Sequence, residues 1–231
     1  MQRYIIGNWK CHKSTSDGQA WLDRFGGLYH PHPGVEVILA PSIISLEIIA
    51  KHLDTLRLAH VSLAAQDVSP FPKGSYTGAV AADMIRFAAG YVIIGHSERD
   101  RYFRETGQDV ANKITEAVDS GLTPIVCVEE TSFVSRLSTL IDIECEKALV
   151  AYTPVDALNF NIAESPEKVA EKVAAIHAKF PLWPVVYGGA LGQDNVERYL
   201  QLDELSGVFL GSASLEVDVF AGICNRAALL L

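Results

Sequence analysis

The sequence contains no run of about 18 apolar residues, so nothing in it reads as a helix able to cross a membrane. It has no basic cluster either. Nineteen Lys and Arg face 28 Asp and Glu, a formal charge of −9 with histidine neutral. Such a chain carries no electrostatic footprint for nucleic acid or for anionic lipid. Cysteine is sparse: Cys11, Cys127, Cys145 and Cys224 are scattered, with neither a C-x-x-C pair nor a Cys/His zinc spacing. That excludes a recognisable zinc site and fits a reduced, cytoplasmic compartment. The first residues, Met1 to Gly7, lack the apolar stretch and small-residue cleavage site of a secretory signal. No Pro/Gly/Ser-rich linker, low-complexity tract or internal repeat divides the chain, so one domain over 1–231 is expected. Apolar residues make up 49 % and charged residues 20 %, enough apolar side chain to offset the ordering entropy of a packed core.

What is present is one rhythm. Short apolar runs at Tyr4–Gly7, Val35–Ala40, Arg57–Ala64, Tyr91–Ile94, Pro124–Val128, Ala148–Tyr152, Pro184–Tyr187 and Val208–Leu210 read as strands. Most are apolar throughout rather than alternating, as strands of a parallel sheet buried on both faces are. Helical spacing fills the intervals: Asp17–Leu28, Ser45–Leu53, Ala81–Ala89, Asp109–Ser120, Ser132–Glu144, Ser165–Lys179, Asn195–Leu200 and Val217–Leu229. Ser165-Pro166 is an N-cap followed by proline at the first helical position, and Gly121 is a stop. Eight strand-then-helix units without a linker predict a single (β/α)8 barrel of the TIM type. The rival, a doubly wound open sheet, usually shows a glycine-rich turn after its first strand, and none follows here.

In such a barrel the chemistry sits at the C-terminal ends of the strands. The first strand ends in Gly7-Asn8-Trp9-Lys10, which puts an ammonium at the mouth, able to attract an anion and stabilise developing negative charge. The fourth ends in Gly95-His96-Ser97-Glu98-Arg99. A histidine opening a short helix feels the positive end of its dipole, which lowers its pKa and favours neutral imidazole. The seventh and eighth end in Tyr187-Gly188-Gly189-Ala190 and Leu210-Gly211-Ser212. There small residues let backbone N–H groups approach an anion, and loops after strands seven and eight are the usual phosphate site.

Six segments, in order, resemble the triosephosphate isomerase family: Gly7–Lys10, Gln66-Asp67-Val68-Ser69 through Gly74–Gly78, Ile93–Arg99, Ala151–Val155, Tyr187–Gly189 and Gly211–Leu215. The resemblance covers nearly the whole chain and implies a reaction, the interconversion of dihydroxyacetone phosphate and glyceraldehyde 3-phosphate through an enediolate, with no cofactor and no metal. It further implies that Asn8 and Lys10 bind substrate, that Lys10 stabilises the enediolate, that neutral His96 polarises the carbonyl, and that Glu98 buttresses Lys10. Gly188, Gly189, Gly211 and Ser212 would bind the phosphate end. Thr77, at the tip of the Gln66–Gly78 loop, would dock into a second copy, giving a homodimer.

The chain departs from that pattern in one region. The family has a glutamate base at the end of the sixth strand, before a Pro-Val hinge; here Thr153 stands there. A threonine hydroxyl cannot take a carbon-bound proton near neutral pH, and losing a positioned base removes about 10²–10⁴ in rate. That is about 3–5 kcal/mol of barrier. The family's glycine-containing lid is replaced by Asp156-Ala157-Leu158-Asn159-Phe160-Asn161, and Ala190 stands in place of a serine. The interval from Glu130 to Thr153 is short, so a trimmed fifth helix is expected. Three functions remain open: an impaired isomerase in which Asp156, Glu129 or Glu130 stands in as base, an isomerase for a related small carbonyl compound, and a catalytically silent barrel that binds a ligand or partner.

Overall fold

The computed structural model describes residues 2–231. Eight parallel strands close in sequence order: β1 Arg3–Asn8, β2 Val35–Ala40, β3 Val61–Ala65, β4 Tyr91–Ile94, β5 Thr123–Val128, β6 Leu149–Tyr152, β7 Val185–Tyr187 and β8 Gly207–Leu210. The ring closes where β1 pairs with β8, Tyr4 opposite Gly207 and Gly7 opposite Leu210.

The apolar-throughout character of the strands has a direct cause. In β4, Ile93 faces the barrel interior with Ile6, Ile38, Ile125 and Val186, while Val92 and Ile94 face the helical layer. Both faces are dry, so alternation never exposes a position that must be polar.

The outer layer comprises α1 Thr15–Leu28, α2 Ile43–Leu56, α3 Ser97–Phe103, α4 Gly107–Asp119, α5 Phe133–Asp142, α6 Val155–Phe160, α7 Pro166–Lys179, α8 Val196–Leu200 and α9 Val217–Leu229. Capping boxes start α1 (Ser14 with Asp17) and α4 (Thr106 with Asp109). Along α1, Trp21, Phe25 and Tyr29 recur every fourth residue and stack at 5.0 and 4.9 Å. That aromatic stripe lies against Phe220 of α9, whose ring packs on Gly7 of β1.

Three expectations need correction. The third strand starts at Val61 rather than Arg57, because α2 runs on to Leu56 and Arg57 ends it in the left-handed conformation, φ 52°. Ala81–Ala89 is not an α-helix; only a single 3₁₀ turn, Ala82–Met84, forms there. The lid stretch after Pro154 contains a helix, α6; the short helix expected after His96 is present and runs to Phe103. The fifth helix spans ten residues, in keeping with the short interval around it.

Candidate active site at the mouth of the barrel

The strand ends converge on a cavity of about 780 Å³, lined by Asn8, Lys10, His96, Glu98, Thr153, Gly188, Gly189, Gly211 and Ser212. All nine mouth residues named from sequence therefore border one space. Thr77 does not; it lies in the exposed part, residues 71–78, of the Gln66–Gly78 loop.

Lys10 is held in a left-handed conformation, φ 51°, which non-glycine residues seldom adopt. The surroundings impose it. The Lys10 amide donates to Asn8 Oδ1 at 3.0 Å, and Gln66 Nε2 donates to the Lys10 carbonyl at 2.7 Å and to the Ala40 carbonyl at 2.8 Å. The side chain then runs over Gly211, whose missing Cβ would lie 3.5 Å from Lys10 Cε, and Nζ meets Glu98 Oε1 at 2.5 Å.

His96 is buried at the N-terminal end of α3. The Glu98 N–H donates to Nδ1 at 3.2 Å, so Nδ1 serves as an acceptor and the neutral ring carries its proton on Nε2. The ring pKa falls to about 4. Burial is the main cause, opposed by the Glu98 carboxylate and reinforced by the Lys10 ammonium. The sequence pointed to the helix end as the cause; removal from water is the larger one. A neutral imidazole that donates from Nε2 can polarise a carbonyl and exchange protons with its oxygen.

The β6 end is different in kind. Thr153 is buried, its N–H donates to the Val128 carbonyl at 2.8 Å, and its methyl lies where a Cβ on Gly188 would meet it at 2.9 Å. The neighbouring Cys127 of β5 is buried as well, and burial pushes its thiol up to about 12. No proton acceptor of useful strength stands there. Of the three carboxylates considered as replacements, Glu129 lines the cavity, while Glu130 turns outward to Lys172 at 2.9 Å. Asp156 is not among the lining residues.

The polar wall of Lys10, Glu98 and His96 stands at the ends of the first and fourth strands of a closed barrel. The sequence matches the family model described as triosephosphate isomerase over residues 3–227. The chain belongs to the triosephosphate isomerase family. It is 32 % identical to the triosephosphate isomerase of Mesomycoplasma hyorhinis over 94 % of this chain and 95 % of that protein. It is 31 % identical to that of Dehalococcoides mccartyi, strain BAV1, over 99 % and 98 %, and 31 % identical to that of Gloeobacter violaceus over 97 % and 98 %.

Phe209, which lines the cavity, and Gln66, which holds the Lys10 backbone, are among the residues that the sequence does not single out. Phe209 of β8 has its ring 6.1 Å from the His96 ring and its Cβ against Gly188. Its place two residues before Gly211, on the inward register of a barrel strand, was a usable signal. Gln66 was seen only as part of a loop motif; nothing in its spacing reveals that it clamps the Lys10 backbone. Helix α6 sits down on the β7 turn, since a Cβ on Gly189 would lie 3.0 Å from the Ala157 Cβ. No helix of the described residues is long and apolar enough to cross a membrane.

Proposed function

We propose that this triosephosphate isomerase family member binds a small phosphorylated carbonyl compound at the barrel mouth and retains only the electrophilic half of the family's aldose–ketose isomerisation. The carbonyl oxygen would sit between the Lys10 ammonium and the Nε2–H of His96, both of which favour negative charge on it. Enediolate formation also needs a group to take the hydrogen from carbon. The observation that carries the reading is that a buried threonine, Thr153, and not a carboxylate, borders the cavity at the β6 end.

The test is turnover of glyceraldehyde 3-phosphate. Wild type is expected to run far below an intact relative, and Thr153→Glu to gain about 10²-fold or more, with the gain lost again on Lys10→Ala. Wild-type conversion at ordinary family speed would overturn the reading. No turnover and no phosphoglycolate binding in any variant would favour a silent barrel instead.

A second reading has its own support. Glu129 borders the same cavity, at the end of the strand beside β6, and no cation lies within ion-pair reach of it among the described residues. It is the replacement base to test: residual wild-type turnover that disappears in Glu129→Gln would assign it that role. For quaternary structure, a second cavity of about 570 Å³ abuts the first, sharing Asn8, Lys10, His96 and Glu98 and bordered by Ile43 and Phe103. Exposed Ile44, Phe71 and Tyr76 belong to the α2 and Gln66–Gly78 segments that frame it. This supports a homodimer in which the Thr77 loop of one copy enters that cavity of the other. Light scattering should give twice the chain mass, and Thr77→Arg should reduce it.

A further inference from the structure

We propose that Arg101, presented with Asn159 at the rim of the main cavity, is an anion-binding residue, and that it selects a sugar phosphate longer than a triose phosphate. The proposal rests on the reading of this mouth as a carbonyl-phosphate site and names which end of the ligand goes where.

Arg101 lies on α3, five residues beyond His96. At 1.5 Å per residue the two backbone positions are about 7.5 Å apart along the helix axis, on the scale of a short ligand. Its guanidinium reaches the lid helix, donating from Nη1 to Asn159 Oδ1 at 2.8 Å, and stacks beside the Tyr102 ring at 5.3 Å. Both partners are neutral, and no carboxylate lies within 4.0 Å of it among the described residues. The other charged groups nearby are matched: Lys10 with Glu98, and Asp100 with Arg136 at 2.7 Å. Glu129, which also borders the cavity, has no cationic partner within 4.0 Å among the described residues, so one guanidinium and one carboxylate stand open there. An Arg side chain has five N–H donors in a fork that fits phosphate. With one donor given to Asn159, the rest are free to receive an anion.

The turn that would otherwise hold the phosphate is weakened. Ala190 offers no hydroxyl, and the Gly188 N–H already donates to the Tyr152 carbonyl at 2.9 Å. Space points the same way. A triose phosphate has about ten non-hydrogen atoms and fills less than about 300 Å³ even at the volume share of liquid water, whereas the cavity measures about 780 Å³. A ligand whose carbonyl end sits between Lys10 and His96, and whose phosphate reaches Arg101, uses that excess.

Calorimetric titration with two carboxylate mimics of the enediolate, 2-phosphoglycolate and the two-carbon-longer 4-phospho-D-erythronate, tests this. Wild type should bind the longer acid more tightly. Arg101→Met should weaken the longer acid at least tenfold while leaving the shorter within about twofold, and Arg101→Lys should recover part of the loss. Tighter binding of the shorter acid, or identical affinities in wild type and Arg101→Met, would overturn the proposal and leave the carbonyl-phosphate reading intact. Faster amide hydrogen exchange in residues 155–160 of Arg101→Met with unchanged affinity would overturn it too, making Arg101 a clasp for the lid helix. Failure of wild type to bind either acid would bring down the underlying reading along with it.

Discussion

Glu98 Oε1 holds the Lys10 ammonium at 2.5 Å, and its Oε2 lies 3.7 Å from His96 Nδ1. One carboxylate thus faces both groups that would meet a carbonyl. The pair is open to solvent, Lys10 at 29 % and Glu98 at 42 % side-chain exposure, so water screens it and its contribution to stability is under about 1 kcal/mol. Glu98→Gln should therefore lower Tm by no more than about 3 °C. Its effect on chemistry should be larger: introduced beside Thr153→Glu, it should cut turnover about tenfold, because the ammonium loses the contact that aims it. A large fall in Tm with turnover unchanged would make the pair structural.

A second ion cluster lies deeper. Lys113 of α4 bonds Asp67 at 2.6 Å and also Glu105, with Lys113 and Glu105 side chains only 4 % and 3 % exposed; Arg99 joins both acids. Removing one member of a buried pair leaves an uncompensated charge, at a cost of about 3–5 kcal/mol. Lys113→Met should lower Tm by about 10 °C. Because Asp67 opens the Gln66–Gly78 loop, the same substitution should speed amide exchange through that loop. Unchanged unfolding in urea would refute the assignment.

The barrel was legible because its cause is local and repeated: strands dry on both faces, each followed by a helix. The polar wall was legible because Lys10 and His96 each stand directly after a strand. What escaped depends on contacts distant in sequence. Arg57 looked like the start of β3, but its left-handed turn is set by the end of α2, where its N–H bonds the Leu53 carbonyl. Gln66 gives no sign in sequence that it crosses to the backbone of β1 and β2. Helix α6 was hidden by the absence of a side-chain cap; its start is set by Pro154 and its end by Asn161 at φ 53°. The burial that dominates the His96 pKa is a property of the closed mouth, and a single segment cannot report it.

Gly207 is where closure of the ring depends on one residue. It sits at φ 150°, and a Cβ there would lie 1.9 Å from the Tyr4 carbonyl oxygen and 2.7 Å from the Tyr4 nitrogen. Both are backbone atoms of β1, paired in the ladder, so neither can rotate away. Gly207→Ala must either break the β8–β1 pairing or shift a strand against a packed core, and a loss of at least about 3 kcal/mol is expected. Urea unfolding should show it as a lower midpoint, or the variant should fail to accumulate in folded form. By contrast, Gly222→Ala on α9, with nothing within 4 Å of the added carbon, should gain up to about 1 kcal/mol. Equal midpoints for the two variants would rule out a special role for the seam.

His96 gives the mouth a pH signature. In the unfolded chain its ring takes a proton near pH 6.5; in the fold it resists until about pH 4, chiefly because burial penalises the charged form. Between those values the unfolded chain binds more protons than the folded one. Stability must therefore fall as pH drops from about 6.5 toward 4 and level off below, with about 3 kcal/mol at stake across the window. His96→Gln removes this contribution, while every carboxylate that titrates in the same range stays common to both proteins. The difference in unfolding free energy between wild type and His96→Gln should be constant above pH 7 and move against wild type by about 2 kcal/mol by pH 4.5. An imidazole NMR titration should in parallel show the ring neutral at pH 5. Protonation of that ring near pH 6.5, or curves that run parallel down to pH 4.5, would mean that the imidazole is not held neutral, and the carbonyl-polarising role proposed for it would lose its basis.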